Sequence, residues 1–141
     1  DGDGAENRAG NACANQEGAL PWAELGLGRQ DAWGNPLRYR VAAAFSNSTT
    51  GFALLSSTGD LRVCETSACA VTLGAALPAV VVSTGKNGAA ATTQADELEK
   101  LDGDTDFVLR APGGTTGYDD LVVWLPQGIL LNRMIAAGRL P

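Results

Sequence analysis

Histidine is absent from the 141-residue chain, and its absence removes more chemistry than any other feature of the composition. Without an imidazole there is no Ser-His-Asp triad, no Cys-His dyad, no His-ligated zinc and no His general base near neutral pH. Basic residues are also scarce: 10 Lys and Arg stand against 16 Asp and Glu, for a net charge of -6. Nucleic acid and anionic lipid both need basic surface, so neither is expected as a main partner. No apolar run approaches the roughly 18 to 20 residues that span a bilayer, and no charged-then-apolar secretory signal opens the sequence. The chain starts on Asp1-Gly2-Asp3-Gly4, which is not an initiator context and predicts an upstream segment that would carry any targeting or anchoring signal.

What is present points to one small, turn-rich domain. A mass of 14.4 kDa fits a single unit over residues 1–141, large enough to bury a core without metal or cofactor. Gly 18 and Pro 6, with abundant alanine, speak against long helices. Cys64 and Cys69 enclose only Glu65 to Ala68, a span that a turn closes. A Cys64–Cys69 disulfide is expected, implying an oxidising compartment, with two reduced thiols flanking a loop as the alternative. Cys13 is then left over, its partner expected in the upstream segment. Three cysteines and no histidine do not make a typical zinc set.

Residues 1–20 lack apolar periodicity and read as irregular. Pro21 before Trp22, and Gly26 after Leu25, frame a short helix. Alternation from Leu37 to Val41 predicts a strand, Phe52 to Ser56 a second one antiparallel to it, and Leu61 to Cys64 a third, making a meander. The run Ala79-Val80-Val81-Val82-Ser83 predicts a central strand buried on both faces. Residues 89–106, acidic apart from Lys100, read as an exposed loop with one helical turn. Phe107 to Leu109 and Leu121 to Leu125 are further strands, separated by a Pro112-Gly113-Gly114 turn. After Pro126, Leu130, Leu131, Met134 and Ile135 fall on one side of a helix over about 127–137, which Gly138 ends. That helix is expected to cover the domain's own sheet.

Chemistry is tested mostly by exclusion. Gly85-Lys86 is not a phosphate loop, because Val80 stands where the first glycine belongs and Asn87 where Ser or Thr should hold magnesium. Asp102, Asp104 and Asp106 have the spacing of a calcium loop, but Phe107 and Gly113 occupy the glycine and glutamate positions of an EF-hand. A different calcium site from these three aspartates and backbone carbonyls is the one metal candidate, against a solvated acidic loop. Asp119 and Asp120, adjacent at a strand start, are expected to point to opposite faces, one capping or salt-bridged and the other solvated, rather than to work as a glycosidase pair. Trp22, Trp33 and Trp124 are read as core or partly buried. Asn47-Ser48-Thr49 matches a glycosylation acceptor pattern without bearing on function.

Three blocks, Asp31-Ala-Trp-Gly-Asn-Pro-Leu-Arg-Tyr39, Val81-Val-Ser-Thr-Gly-Lys-Asn-Gly88 and Tyr118-Asp-Asp-Leu-Val-Val-Trp124, together resemble the soluble heads of bacterial type II secretion pseudopilins and related type IV pilin-like (prepilin) proteins. The resemblance covers roughly residues 20–126 and is nearest to the major-pseudopilin pattern. It implies an α+β pilin-like head with an antiparallel sheet of about four to six strands and a short C-terminal helix. The family's apolar N-terminal anchoring helix is absent from this chain. It further implies a structural, noncatalytic filament subunit, with other pilin or pseudopilin subunits as homo-oligomeric partners and no resident cofactor. In the full-length precursor the head would sit on the periplasmic or extracellular face, anchored in the inner membrane. Major pseudopilins commonly bind calcium in a late acidic loop, but their ligands cannot be matched residue by residue here. The rival expectations are a secreted ligand-binding or adhesion domain using the acidic loop, and a histidine-free hydrolase whose carboxylates converge in a cleft.

Overall fold

The computed structural model describes residues 2–49, 51–53, 57–88, 94–112 and 117–139. Among them, nine strands form a two-stranded, a four-stranded and a three-stranded sheet, with three helices. The class is α+β, as expected, but strand pairing is divided among sheets.

The four-stranded sheet has the order β3 (Glu17–Ala19), β4 (Arg38–Val41), β7 (Ala79–Ser83), β9 (Leu121–Leu125), antiparallel throughout. The β-branched run of β7 does place it centrally. It is not buried on both faces: Val80 and Val82 are buried, whereas Val81 is half-exposed and lies across from Val123, which is 67% exposed. The strand therefore alternates, as a sheet with one covered face does.

The second layer has the order β6 (Thr72–Leu77), β5 (Leu61–Cys64), β8 (Asp106–Val108), with β5 and β8 parallel. Leu61, Val63, Leu77 and Phe107 from this layer meet Val80, Val82 and Val122 from the other, with Ala42 between strands, in one apolar core. Burying each of these larger side chains is worth about 1.5–3 kcal/mol. The expected meander is replaced: β4 pairs with β3 and β7, so residues 52 and 53 form no strand beside it, and Leu54 to Ser56 lie outside the described residues. The Pro112-Gly113-Gly114 turn also falls largely outside them.

Residues 2–20 are more ordered than their composition predicts. Arg8–Ala9 (β1) and Ala12–Cys13 (β2) form a small hairpin, and β3 joins the main sheet. Backbone pairing needs no apolar side chains, so periodicity does not reveal it. Strand β6 escapes prediction for a similar reason: Thr72-Leu-Gly-Ala-Ala-Leu77 reads as small and irregular, and its pairing with β5 carries register shifts.

Helix α1 (Trp22–Leu25) ends at Gly26, whose left-handed backbone lets Leu27 bond back to Trp22, as the sequence predicts. Helix α2 (Ala95–Leu98) is a single turn followed by a 3-10 turn over Glu99–Leu101. Helix α3 (Gln127–Ala136) closes with Gly138 donating to Ile135 and Arg139 to Met134, a Schellman end. The expectation that α3 is buried on the sheet fails: none of its residues is buried, and Ile129 and Ile135 are 53% and 58% exposed. Trp22 and Trp124 are partly buried, but Trp33 is 47% exposed. The Cys64–Cys69 disulfide is present, with Cα atoms 5.0 Å apart, and Cys13 is a half-buried free thiol. No helix among the described residues is long and apolar enough to cross a membrane.

Candidate functional site

The turn after α1, the end of β7 and the start of β9 meet at one end of the four-stranded sheet. Asp31 is the hub of the turn: its Oδ1 accepts the backbone N–H groups of Trp33 (2.9 Å) and Asn35 (2.8 Å), and its Oδ2 accepts the Ser83 hydroxyl at 2.6 Å. Asn35 in turn donates from Nδ2 to the Gly85 carbonyl at 2.6 Å. Burial pushes the Asp31 carboxyl up, but the hydrogen bonds from Ser83 and the turn amides outweigh it and hold the pKa below the usual aspartate value.

From the β7 turn the network continues into the acidic segment. Asn87 donates its backbone N–H to Asp119 Oδ2 at 2.9 Å and its side-chain amide to Glu97 Oε2 at 3.0 Å; the Asp119 N–H donates to Glu97 Oε1 at 3.0 Å. Gly85 has φ +60°, and a Cβ there would lie 2.2 Å from the Asp119 carbonyl oxygen. The residue must be glycine on two independent grounds. The sequence blocks around Asp31, Ser83 and Asp119 are thus one hydrogen-bonded unit.

At the centre of this unit lies a lysine. Lys100 Nζ donates to Asp120 Oδ1 and Oδ2 at 2.5 and 2.6 Å and to Glu97 Oε2 at 3.2 Å. The three side chains are only 5%, 1% and 2% exposed. Burial pushes Asp120 up to about 6 against the opposing pull of the Lys100 ammonium. Burial also acts upward on Glu97, but the hydrogen bonds from Asn87, Asp119 and Lys100 hold it below its ordinary value. Removing one partner of such a pair leaves a charge without compensation.

The expectation that residues 89–106 form an exposed loop with one helical turn holds in part: α2 is that turn and residues 102–104 are exposed, residues 89–93 lie outside the described residues, and Glu97 and Lys100 are buried instead. Of Asp119 and Asp120, the second is salt-bridged, as expected, but the two do not point to opposite faces: Asp119 is half-buried, bonded to the Asn87 N–H, and oxygens of both lie near Glu97. Oxygens of Glu97, Asp119 and Asp120 come within 4.8 Å of one another, close enough for a cation, but Lys100 supplies one already. One signal in the sequence pointed here: Lys100 is the single base among residues 89–106, and a lone base amid acids has partners to find.

Asp102, Asp104 and Asp106 do not converge as one ligand set. Asp102 Oδ1 accepts the Asp104 N–H at 3.0 Å, Asp104 Oδ1 accepts the Asp106 N–H at 2.7 Å, and Asp106 binds the Arg62 guanidinium on both oxygens. The grouping with oxygens within 4.8 Å is Glu99, Asp104 and Asp106. Burial, with Asp102, Asp104 and Asp106 nearby, raises Glu99 to about 6.

Surface cavities lie elsewhere among the described residues. One of about 310 Å³ is lined by Trp22, Arg29, Leu37 and Arg38 among others, and one of about 300 Å³ lies against Cys13, Phe45 and Phe52. Neither holds a carboxylate pair, but a third cavity, of about 120 Å³, has both Glu6 and Glu17 in its lining; there Glu6 accepts the Tyr39 hydroxyl and Glu17 is paired with Arg38 and Arg40. No protein-family model matches the chain, and neither does any curated protein or solved structure.

Proposed function

We propose that the chain is the soluble head of a structural, noncatalytic subunit of a bacterial type II secretion pseudopilus or type IV pilus-like filament. The observation that carries this reading is the union of the three resembling blocks, through Asp31, Asn35, Gly85 and Asp119, into one brace across one end of the sheet. These residues are scattered over about ninety positions yet serve one local structure, which supports reading the three blocks together. A second observation supports it: Leu121 and Val123 leave an apolar outer face on β9, 43% and 67% exposed. An apolar helix preceding the head, which the resemblance implies, would cover such a face. The subunit would then assemble with copies of itself and other pilin-like subunits at the periplasmic or outer face of the inner membrane. The proximity of Glu99, Asp104 and Asp106 favours the second reading, a secreted binding or adhesion domain with an acidic loop.

The full-length reading frame separates the two. A short basic leader, a prepilin-type junction and a long apolar helix before Asp1, together with recovery of the chain in sheared filaments from cells expressing it, are the expected results. A conventional cleaved signal peptide and release of a monomer would overturn the filament reading in favour of the second.

A further inference from the structure

Lys100, Asp120 and Glu97 carry chemistry that a structural brace does not require. Lys100 Nζ bridges both oxygens of Asp120, at 2.5 and 2.6 Å, which leaves the carboxyl carbon next behind them, within reach once the carboxyl group turns its face to the nitrogen. The Glu97 carboxylate touches the same nitrogen at 3.2 Å and is itself aimed by the side-chain amide of Asn87 and the backbone N–H of Asp119. All three groups are shielded from water, and buried Tyr118, which donates to the Val108 carbonyl at 2.5 Å, stands two residues before Asp120 in the chain. From these placements we propose that Lys100 and Asp120 join spontaneously in an intramolecular amide bond, with Glu97 as the proton carrier.

The step balances without an outside reagent. Glu97 accepts one proton from the Lys100 ammonium, freeing the nitrogen lone pair. Nζ then bonds to Cγ of Asp120, one Cγ–O bond of the carboxylate breaks, and that oxygen leaves as water. It carries away the proton held by Glu97 and a second proton from nitrogen, so the three hydrogens of the ammonium end as one on the amide and two on water. Glu97 finishes as the carboxylate it was. In dilute solution this condensation does not proceed, but a fixed approach supplies a large effective concentration. The product also replaces two buried charges by one neutral amide, removing the desolvation penalty the ion pair bears. The bond would tie the turn after α2 to the start of β9 across the segment between them. Nothing in this proposal depends on the filament reading.

The intact mass of the purified chain, measured after reduction of the disulfide, is decisive. The expected value is lower than the sequence mass by one water, with proteolysis yielding a branched peptide that contains both Lys100 and Asp120. The Glu97→Gln variant is expected to show the full, unbridged mass. A wild-type chain at its full mass overturns the proposal whether or not any variant folds. So does a water loss that maps to a single linear peptide, as cyclisation at Asp102-Gly103 would produce. A bridged Glu97→Gln variant overturns the role given to Glu97.

Discussion

Asn35 donates from its side-chain amide to the carbonyl of Gly85, 50 residues later, at 2.6 Å. The contact joins a turn to the end of the central strand, and Gly85 is buried. Asn35→Ala leaves that carbonyl without its partner, at a cost of about 1–3 kcal/mol. Urea denaturation should show this loss, whereas Asn132→Ala on the exposed side of α3 should change stability by about 0.5 kcal/mol or less. Equal effects at the two sites would mean that the contact contributes nothing.

Gly85→Ala tests the same junction from the other side. A left-handed backbone alone costs an L-residue about 1–2 kcal/mol, and here the new Cβ would also sit 2.2 Å from the Asp119 carbonyl oxygen. Gly103, with φ +82°, has nothing within 4 Å of its Cβ position. Gly85→Ala should therefore destabilise well beyond Gly103→Ala, and thermal melts of the pair decide it. Similar melting temperatures would show that the loop carrying Asp119 yields easily.

The parts of this molecule that could be read from sequence are those where side chains repeat a backbone period or stop a helix. The strand at Ala79–Ser83, the stop at Gly26 and the end at Gly138 are of that kind. Cys64 and Cys69 were legible because a short span restricts the geometry. Strands β1, β2 and β3 were not, since their pairing rests on backbone groups that every residue has. The ion cluster shows a different limit. Lys100 and Asp120 are 20 positions apart, and acidic residues look solvated until a fold encloses them. Nothing in the local pattern distinguishes Glu97, which is buried, from Asp102, which is exposed.

Glu99 gives the pH prediction. Its carboxyl, ordinarily near 4.5, is raised to about 6 in the fold by burial and the acids around it. A raised acid favours the folded state while protonated, so its contribution is complete below the unfolded pKa and disappears as pH rises through about 6. Stability should accordingly fall between pH 4.5 and 7, and Glu99→Gln should flatten the slope and stabilise the protein at pH 7. The gain is at most about 1 kcal/mol because solvent screens the surrounding carboxylates. Below this window the opposite sign applies to Asp31, Asp96 and Glu97, whose lowered pKa values make their contributions vanish in acid. Denaturation curves across the range for both proteins provide the check, and an unchanged slope in the variant contradicts the assignment.

Calcium should have little effect on the protein. Asp106 is held by Arg62, and one oxygen each of Asp102 and Asp104 is occupied by a backbone N–H of the loop. A cation would have to displace the guanidinium to use Asp106 as a free ligand. The melting temperature is expected to be the same with calcium and with chelator. If the ion raised it, linkage would require binding to the folded state, and loss of that rise in Asp104→Ala would place the ion in this loop and strengthen the acidic-loop reading.

Helix α3 separates burial from assembly. Leu130, Leu131 and Met134 lie on its half-covered side, while Ile129 and Ile135 are exposed. A charge at Met134 keeps a path to water, so Met134→Asp should cost only about 1–2 kcal/mol and leave a folded monomer. Leu61→Asp, by contrast, puts a carboxylate at a core position that is 1% exposed, where an unpaired charge costs several kcal/mol and should prevent folding. Ile135→Asp should leave stability unchanged within about 0.5 kcal/mol. Under the filament reading it should reduce incorporation into filaments if α3 meets a neighbouring subunit. Circular dichroism melts, size-exclusion chromatography and recovery of sheared filaments measure the three outcomes separately. Unfolding of Met134→Asp would show that the helix is an integral part of the core. A folded Ile135→Asp subunit that assembles normally would remove the exposed side of α3 from the subunit contacts.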